Sequence, residues 1–524
     1  MFVRVKPSGP RKYLQIVENY REEGKVKQQV IANLGRLDIL QQTGQLDAII
    51  SGLARYSEHL AVIDATKRGQ SPVTWDKEWG PALVFERLWN LLGLVEIIAS
   101  LKRSHRYEFD VERATFAVVL QRLICPGSDL EGSKWIEDTL ASGFDGLQLQ
   151  HLYRSMDFLA EHKEQIECQL FDRSRNLFDV QVDLVFFDTT TIYFEGNGPS
   201  ELAEYGYSKD HRPDRKQLLV GVVMSRSGFP LCCQFWPGNT SDIKTVEKVI
   251  ETVKQKFSLR RVIFVADRGM VSQQNIAYLE SSHWDYILGV RLRRLKRVRE
   301  QVLQDSSPFQ EIEHNLQVKE VWCGEERFVV CFNPQEAARD RQAREQMLAQ
   351  LSEQLQRGAT GLLANHGYAR FLTVKSDSIA VDPEKVEADA QFDGKFVLTT
   401  NTELSAAEVA RSYKGLWQVE RGFRNLKDVL AIRPVYHRHP SRVTGHVFAS
   451  FLSLVLMTAL EKKLEEKGIE TSWDDLIRDL RAFRAIKVHF SNKDYRLRTE
   501  CRGAVYHIFQ AVGLHLPTVV ELVQ

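Results

Sequence analysis

Two aspartates each come directly after a run of apolar residues. Asp188 follows the run 184–187, and Asp267 follows the run 262–266. Continuous apolar runs of this length predict strands that are buried on both faces of a sheet. An aspartate at the end of such a strand points into the space in which α/β folds bind ligands. The alternative role for either residue alone is an ordinary turn or helix cap after the strand.

A third acidic residue, Glu420, lies in a segment with helical spacing. A capping-box pattern over residues 405–408 predicts where this helix begins. Tyr413, Glu420 and Lys427 follow each other at intervals of seven residues, close to two turns, so we expect them on one helical face. A glutamate on a largely apolar face is costly to bury without a partner. That partner is either a cation of the same helix, Lys427 or Arg424, or a metal ion.

The available donor atoms favour magnesium-type chemistry over zinc. Carboxylates are the oxygen ligands that Mg²⁺ and Mn²⁺ prefer. Two such ions about 4 Å apart activate a water or a 3′-hydroxyl and stabilise the leaving oxygen in phosphodiester chemistry. The seven cysteines are scattered without a Cys-x-x-Cys motif, and the spacing of His437, His439 and His446 matches no zinc site. We therefore expect Mg²⁺ or Mn²⁺, as two ions, at the three carboxylates.

Residues 413–427 carry the pattern by which the chain resembles a known family. They read Tyr-Lys-Gly-Leu-Trp-Gln-Val-Glu-Arg-Gly-Phe-Arg-Asn-Leu-Lys. The chain resembles the DDE transposases of bacterial insertion sequences, in the insertion-sequence-4 superfamily, whose signature is Tyr, two residues, Arg, three residues, Glu, six residues, Lys. Tyr413, Glu420 and Lys427 match this signature, whereas Leu416 stands where arginine is usual. No basic role is therefore carried over to position 416.

Further motifs support the resemblance. Residues 186–190 are similar to the family's first-aspartate motif, residues 265–269 to its second, and the stretch 238–242 also looks familiar for this group. The long interval between Asp267 and Glu420 is similar to that of members with a β-rich insertion before the glutamate helix. Asp242, at the end of the stretch 238–242, is expected to cap a helix rather than bind a metal ion.

The resemblance implies roles for the residues at the matching positions. Asp188, Asp267 and Glu420 would be the catalytic residues and would hold the metal ions. Tyr413 and Lys427 would contact the backbone phosphate near the cleaved bond, a task that suits the point charge of a lysine.

Other basic and aromatic residues are expected at the DNA as well. Arg424 lies on the same helix as Lys427, and Trp417 would stack on an unpaired base unless it packs in the core. A basic cluster follows the last predicted strand of the core, where it would grip phosphate unless it is only a solvated face. The members of this cluster expected to bind DNA are Arg291, Arg293, Arg294 and Lys296.

The order of predicted elements indicates an α/β protein with a mixed sheet. Residues 183–290 read as three strands, a helix, a strand, a helix and a strand, and the resemblance implies that they form an RNase H-like core with flanking helices. The expected regions are a small basic β meander (1–40), a helical domain that is a candidate for DNA binding (77–178), the catalytic core (183–290 and 400–460), a β-rich insertion (291–399) and a C-terminal helical region (461–524).

Bulk composition says little about partners. The chain has 70 Lys and Arg against 69 Asp and Glu, a net charge of +1, so any nucleic-acid site must come from local basic patches. The apolar run 447–457 is too short to span a bilayer and predicts a buried helix. The N-terminus has no apolar signal region. We therefore expect no membrane partner and a cytoplasmic location in a bacterium, on the nucleoid when the protein is bound to DNA.

These features together predict a DNA transposase that cleaves transposon ends and transfers strands into target DNA by cut-and-paste. Its expected partners are transposon-end DNA and target DNA, with a homodimer in the synaptic complex. Two alternatives remain at this point. One is an RNase H-like nuclease without strand transfer, and the other is a catalytically inactive DNA-binding regulator of transposition, against which the three intact acids weigh.

Overall fold

The computed structural model describes residues 1–22, 25–54, 73–102, 107–177, 183–257, 262–357, 366–375, 378–490 and 493–523. The strands are β1 Phe2–Ser8, β2 Arg11–Glu22, β3 Lys25–Arg36, β4 Val73–Glu78, β5 Leu184–Tyr193, β6 Gln217–Ser225, β7 Pro230–Pro237, β8 Ile263–Ala266, β9 Asp285–Gly289, β10 Gln310–Glu313, β11 Leu316–Cys323, β12 Glu326–Phe332, β13 Leu372–Lys375, β14 Ser378–Val381, β15 Lys395–Thr400, β16 Arg484–Phe490, β17 Lys493–Arg498 and β18 Val520–Val523. The helices are α1 Leu37–Gln42, α2 Gln45–Ala54, α3 Gly80–Leu91, α4 Leu94–Leu101, α5 Val111–Ile124, α6 Asp129–Glu137, α7 Leu149–Leu177, α8 Val246–Phe257, α9 Gln273–Ser281, α10 Pro334–Arg357, α11 His366–Ala369, α12 Pro383–Ala390, α13 Ala406–Lys414, α14 Trp417–Arg424, α15 Pro440–Glu465, α16 Trp473–Ala482 and α17 Val505–Ala511.

The chain divides into two compact units. One comprises Met1–Val84, Asp138–Ala141 and Ile469–Gln524, and the other comprises Phe85–Glu137 and Ser142–Gly468. The second unit therefore holds most of the expected helical domain together with the expected core and insertion.

A nine-stranded mixed sheet dominates the second unit, with the order β10-β11-β12-β15-β9-β8-β5-β6-β7. At its centre β5, β8 and β9 run parallel, while β6 and β7 pair antiparallel beyond β5. The apolar runs form these strands because each is buried, and β6 is buried along its whole length. The protein is thus a mixed α/β protein built on one large sheet.

The insertion 291–399 continues this sheet. From β9 outwards, β15, β12, β11 and β10 are added by antiparallel pairing. The insertion is rich in strands, as expected from the sequence. It also contains the helix α10, which shares a small core with the hairpin β13–β14.

Helices pack around the sheet within this unit. The longest two, α7 and α15, lie against each other, and α5 contacts both. Residues 447–457, predicted to be a buried helix, lie within α15 and are buried. By length and composition α15 could cross a membrane, but 89% of its most apolar window is buried inside the protein. A helix that is apolar on all sides is typical of such a core position.

The prediction of one long helix through Tyr413, Glu420 and Lys427 is wrong. The capping box at Ser405 and Glu408 is confirmed, but α13 ends at Lys414, α14 begins at Trp417, and a π-helical turn follows over Asn425–Val429. The break lies at Gly415, where a Cβ atom would come within 2.2 Å of the ring of Phe186 on β5. Close packing of the chain onto the sheet thus accompanies the break in the helix.

The prediction that residues 461–524 are helical is also wrong in part. In the first unit β16, β17 and β18 form a four-stranded antiparallel sheet with β4, in the order β18-β17-β16-β4. Residues 486–490 alternate between apolar and polar types, with β-branched Ile486 and Val488, a period that suits a strand and not a helix. The first unit also contains the antiparallel sheet β1-β2-β3, which includes the strands predicted near the N-terminus.

Candidate active site

Strand register places Asp188 beside Asp267. The parallel strands β5 and β8 pair from Leu184 with Ile263 to Phe187 with Ala266. Asp188 is the next residue on β5 and Asp267 is the residue directly after β8, so the strand pairing sets them side by side. The two aspartates that the sequence analysis singled out are therefore brought together by the centre of the sheet.

Asp188 does not end its strand, contrary to the sequence prediction. β5 continues to Tyr193, and Asp188 pairs with Val222 of β6. The strand continues because Thr189, Thr190 and Thr191 are β-branched and remain paired with β6. What ends at this level is the neighbouring strand β8, and its end opens the space in front of Asp188.

A third carboxylate, that of Asp242, lies in the same neighbourhood. Its Oδ1 accepts a hydrogen bond of 2.7 Å from Thr189 Oγ1. Lys209 Nζ donates to the carbonyl and hydroxyl oxygens of Thr189 at 2.6 and 3.0 Å and lies 3.5 Å from Asp242 Oδ2. The residue before the short 3-10 turn is Ser241, not Asp242. The expectation that Asp242 serves as a helix cap is therefore wrong, since its side chain is turned toward the site.

The acidic group is short of positive charge. Burial raises the pKa of Asp188 to about 6, and repulsion by Asp267 and Asp242 adds to the rise. Lys209 and the backbone N–H of Thr189 act in the opposite direction and lower this pKa. Asp188 is partly buried beside Asp267 and Asp242, with Lys209 to offset them, and carboxylates are the donor type that a divalent cation prefers. The donor types therefore match an oxygen-liganded metal, whereas a group of three such side chains that could hold the ion is not assembled among the described residues.

Tyr413 reaches the site from α13. Its hydroxyl donates to Asp267 Oδ1 at 2.9 Å, and its ring stacks on Phe396 with centroids 5.8 Å apart. Burial, reinforced by Asp267, raises the pKa of Tyr413, so the phenol remains protonated and continues to donate. Gly289 makes this contact possible, because a Cβ atom there would lie 2.3 Å from the tyrosine hydroxyl.

Glu420 is not gathered into the aspartate group. It lies on α14 and is exposed, and in the part of the chain that the structure describes no three His, Cys, Asp or Glu side chains form a group that could hold a metal ion. Leu416, where the family usually has arginine, is buried at the break before α14. Of the three predicted ligands, the structure thus brings together Asp188 and Asp267 but not Glu420.

Lys427 lies in an ion pair. Its Nζ donates to Asp210 Oδ1 at 2.7 Å, and Arg433 Nε lies 3.2 Å from Asp210 Oδ2. Burial lowers the pKa of Lys427, opposed by Asp210. Sequence reasoning missed Lys209, Asp210 and Arg433. The first two lie in a polar loop without periodic pattern, and no signal in the sequence distinguishes them from their neighbours.

The basic cluster borders the site. Arg291 to Arg294 line an open pocket of 810 Å³ together with Asp267 and Arg268. Arg291 donates to the carbonyl oxygens of Arg268 and Gly269, and Arg293 pairs with Asp389 at 2.7 Å. Arg294 is exposed, and so is Lys296, which lies 3.9 Å from Glu300. The pocket therefore joins one catalytic candidate to a positively charged wall.

Trp417 and Arg424 are on the surface of α14. Trp417 is 54% exposed, so the alternative that it packs in the core is wrong. Arg424 is also exposed. Trp417 lines two pockets beside Gln418, away from the aspartates.

Comparison with known proteins identifies two family domains in this chain. The model of the transposase DDE domain matches residues 182–456, more than half of the chain, and that of the N-terminal domain of the IS1634 family transposases matches residues 3–66. No curated protein matches the sequence. DDE domains of this kind normally use divalent metal ions.

Two solved structures show distant likeness. The piggyBac transposase in a synaptic complex with hairpin DNA shares 10% identity at a TM-score of 0.37, with 77% of this chain and 79% of that chain covered. The Mos1 transposase in a paired-end complex with its left transposon end shares 12% identity at a TM-score of 0.15, with 35% and 60% covered. The family match covers both aspartates and the signature segment, and the chain therefore belongs to the DDE transposases, the enzymes that cleave DNA and transfer its strands in transposition.

Proposed function

We propose that this transposase cuts transposon ends and joins them to target DNA at a site formed by Asp188, Asp267 and Glu420. In this proposal the three carboxylates hold Mg²⁺ or Mn²⁺, as two ions. The observation that carries it is the strand register, which sets Asp188 and Asp267 side by side at the end of β8. The excess of negative charge around Asp188 supports the same assignment.

Glu420 would complete the site from the helical side. It lies in the signature segment between Tyr413, whose hydroxyl reaches Asp267, and Lys427, which reaches the loop that carries Lys209. Its exposed side chain would turn toward the aspartates when cations and DNA are present, because Asp188 and Asp267 carry two negative charges whereas two divalent ions carry four positive charges.

The remaining side chains have separable tasks. Bound divalent ions would supply charge stabilisation at the phosphate and a more acidic attacking hydroxyl. The Tyr413 hydroxyl fixes the orientation of Asp267, and Lys209 holds Thr189 and Asp242 in place beside Asp188. Arg291 and the neighbouring arginines would position the DNA backbone along their pocket.

The wider assignment follows the sequence resemblance. An RNase H-like core, supported by the order β7-β6-β5-β8-β9 with its mixed pairing, would act in cut-and-paste transposition as a homodimer on paired ends. The protein would belong to an insertion sequence of the insertion-sequence-4 superfamily and work in the bacterial cytoplasm, on the nucleoid.

The test is cleavage and joining of labelled DNA that carries the ends of the encoding element, in Mg²⁺, with wild type and Glu420→Gln. The glutamine keeps the size of the side chain and removes the charge that a cation needs. We expect wild type to cut and join, and the variant to bind DNA with cleavage lowered roughly a thousandfold or more, the loss of several kcal/mol of transition-state stabilisation.

Glu345→Gln is the matched control, since Glu345 is an exposed glutamate on α10. It should cut at the wild-type rate. Equal cutting by Glu420→Gln would remove Glu420 from the ligand set, and cutting by wild type without joining would favour a nuclease over a transposase.

A further inference from the structure

One carboxylate, that of Asp210, sits between two cations close to the catalytic aspartates. Lys427 Nζ donates to Oδ1 at 2.7 Å, and Arg433 Nε lies 3.2 Å from Oδ2. The side chains of Asp210, Lys427 and Arg433 are 8%, 12% and 22% exposed. Arg433 also donates to the carbonyl oxygen of Lys427 at 2.7 Å, so the two cations are held together independently of Asp210.

The pairing of the carboxylate is incomplete. Asp210 Oδ2 is buried and makes no hydrogen bond to any residue that the structure describes, since Arg433 approaches it as an ion pair without hydrogen-bond geometry. A buried acceptor in this state is costly. A phosphate group, with more acceptor oxygens than a carboxylate, would satisfy both cations better.

The loop that supplies Asp210 is bound to the catalytic strand and is strained. The preceding residue, Lys209, is bonded to Thr189, next to Asp188. The following residue, His211, has a φ of 56°, in the left-handed region that residues other than glycine rarely adopt. Ala431, between the two cations in sequence, has a φ of 42°. Backbone on both sides of the ion group is thus held in a conformation that its surroundings must maintain.

The site also lacks a basic residue that the family signature usually supplies. Leu416 stands where the signature has arginine and is buried, so no guanidinium comes from that position. Arg433 places a guanidinium beside Lys427 from a different position in the chain.

We propose that Lys427 and Arg433 form a clamp for one backbone phosphate of the DNA, and that Asp210 occupies this clamp in the DNA-free protein. Binding of DNA exchanges the carboxylate for the phosphate. Asp210 thereby competes with the phosphate and lowers the affinity for DNA that enters the clamp. This inference rests on the proposed DNA contact of Lys427, and Arg433 is a new DNA-contacting residue beside it.

The test compares two aspartates of the same loop. Asp210→Asn and Asp214→Asn remove the same charge, and Asp214 is also paired with two cations, Arg212 and Arg215, away from Lys427. Binding of a fluorescent duplex carrying the transposon end is measured by anisotropy at physiological salt without divalent ions. Asp210→Asn should bind roughly tenfold more tightly, because a charge-assisted competitor is lost, whereas Asp214→Asn should stay near wild type, since longer-range effects are screened. Equal gains in the two variants, or a gain in neither, would overturn the proposal.

Arg433→Gln keeps the inference testable if Asp210→Asn fails to fold, because it leaves the pair of Asp210 and Lys427 intact. It should weaken binding while the salt slope stays near wild type, because Lys427 still contacts the same phosphate. The double variant with Lys427→Gln should lose less affinity than the sum of the single losses, since both contacts share one phosphate, and its salt slope should fall by about 0.9. Wild-type affinity in Arg433→Gln overturns the clamp, whereas wild-type affinity in Lys427→Gln overturns the proposed DNA contact of Lys427 itself.

Discussion

The two halves of the candidate site differ in how they are built. Asp188 and Asp267 are placed by the register of paired strands, which admits one arrangement. The signature segment is placed by side chains, since Tyr413 reaches Asp267 and Lys427 reaches Asp210, while the helix between them is broken and Glu420 is exposed. In the proposed site, the sheet half would be in place before DNA binds, and the helical half would be completed afterwards.

The largest effect should come from the sheet half. Asp188→Asn should lower cleavage of transposon-end DNA roughly a thousandfold or more, since a ligand for the stabilising charge is lost, while DNA binding is kept. Asp242→Asn, one hydrogen bond further out, should lose about ten- to a hundredfold. Cleavage rates in Mg²⁺ measure both. If Asp242→Asn were the more damaging, Asp242 would belong among the ligands.

A smaller effect on cleavage should follow from breaking the contact between Tyr413 and Asp267, which joins the helical half to the sheet half. The added Cβ atom of Gly289→Ala would lie 2.3 Å from the Tyr413 hydroxyl and would displace it from Asp267. We expect cleavage to fall roughly ten- to a hundredfold, the usual range for losing a group that orients a ligand. Gly269→Ala is the control, because its Cβ atom would meet its nearest neighbour, Asp242, at 3.5 Å. Equal rates in both variants would show that Tyr413 need not touch Asp267.

The break in the signature segment should matter mainly for stability. Gly415→Ala places a Cβ atom 2.2 Å from the ring of Phe186, and overpacking of this kind typically costs about 1–3 kcal/mol. Urea unfolding should show that loss. An unchanged free energy of unfolding would mean that the segment can move off β5 without cost.

The smallest effect concerns His446, a buried histidine on α15 that contacts the chain just after the signature segment. His446 contacts the carbonyl oxygen of Ile432 through Nε2 and the guanidinium of Arg122 through Nδ1, which fixes a neutral ring that donates from Nε2 and accepts at Nδ1. Burial, with Arg122 and His437, lowers the pKa of His446 well below 6.5. Below pH 6.5 the unfolded chain therefore binds a proton at His446, whereas the folded chain does not. The contribution of the neutral His446 to the free energy of unfolding is present above pH 6.5 and is lost as the pH falls.

The loss amounts to about 1.4 kcal/mol per pH unit, measured as the free energy of unfolding. His446→Gln should flatten the pH dependence, whereas the exposed His507→Gln should leave it unchanged. If the free energy of unfolding of wild type did not fall below pH 6.5, protonation of His446 would not contribute to stability.

The sheet half could be predicted from sequence because its signals are local. Buried strands produce apolar runs, and Asp188 and Asp267 stand directly after them. The broken helix could not be predicted, since the close packing of Gly415 on Phe186 that accompanies the break is a contact between distant parts of the chain. The roles of Lys209, Asp210 and Arg433 depend on where a polar loop folds back, which residue types do not reveal.

The insertion has a consequence for the sheet beyond the pocket that it lines. Because β15 pairs with β9, the parallel core has no exposed border on that side, and the sheet continues to the short strand β10. A chain shortened by residues 291–399 would present β9 as an open row of N–H and C=O groups, ready to pair with another molecule. The insertion covers the edge of β9. Its removal would therefore promote aggregation of the protein, apart from any effect on catalysis.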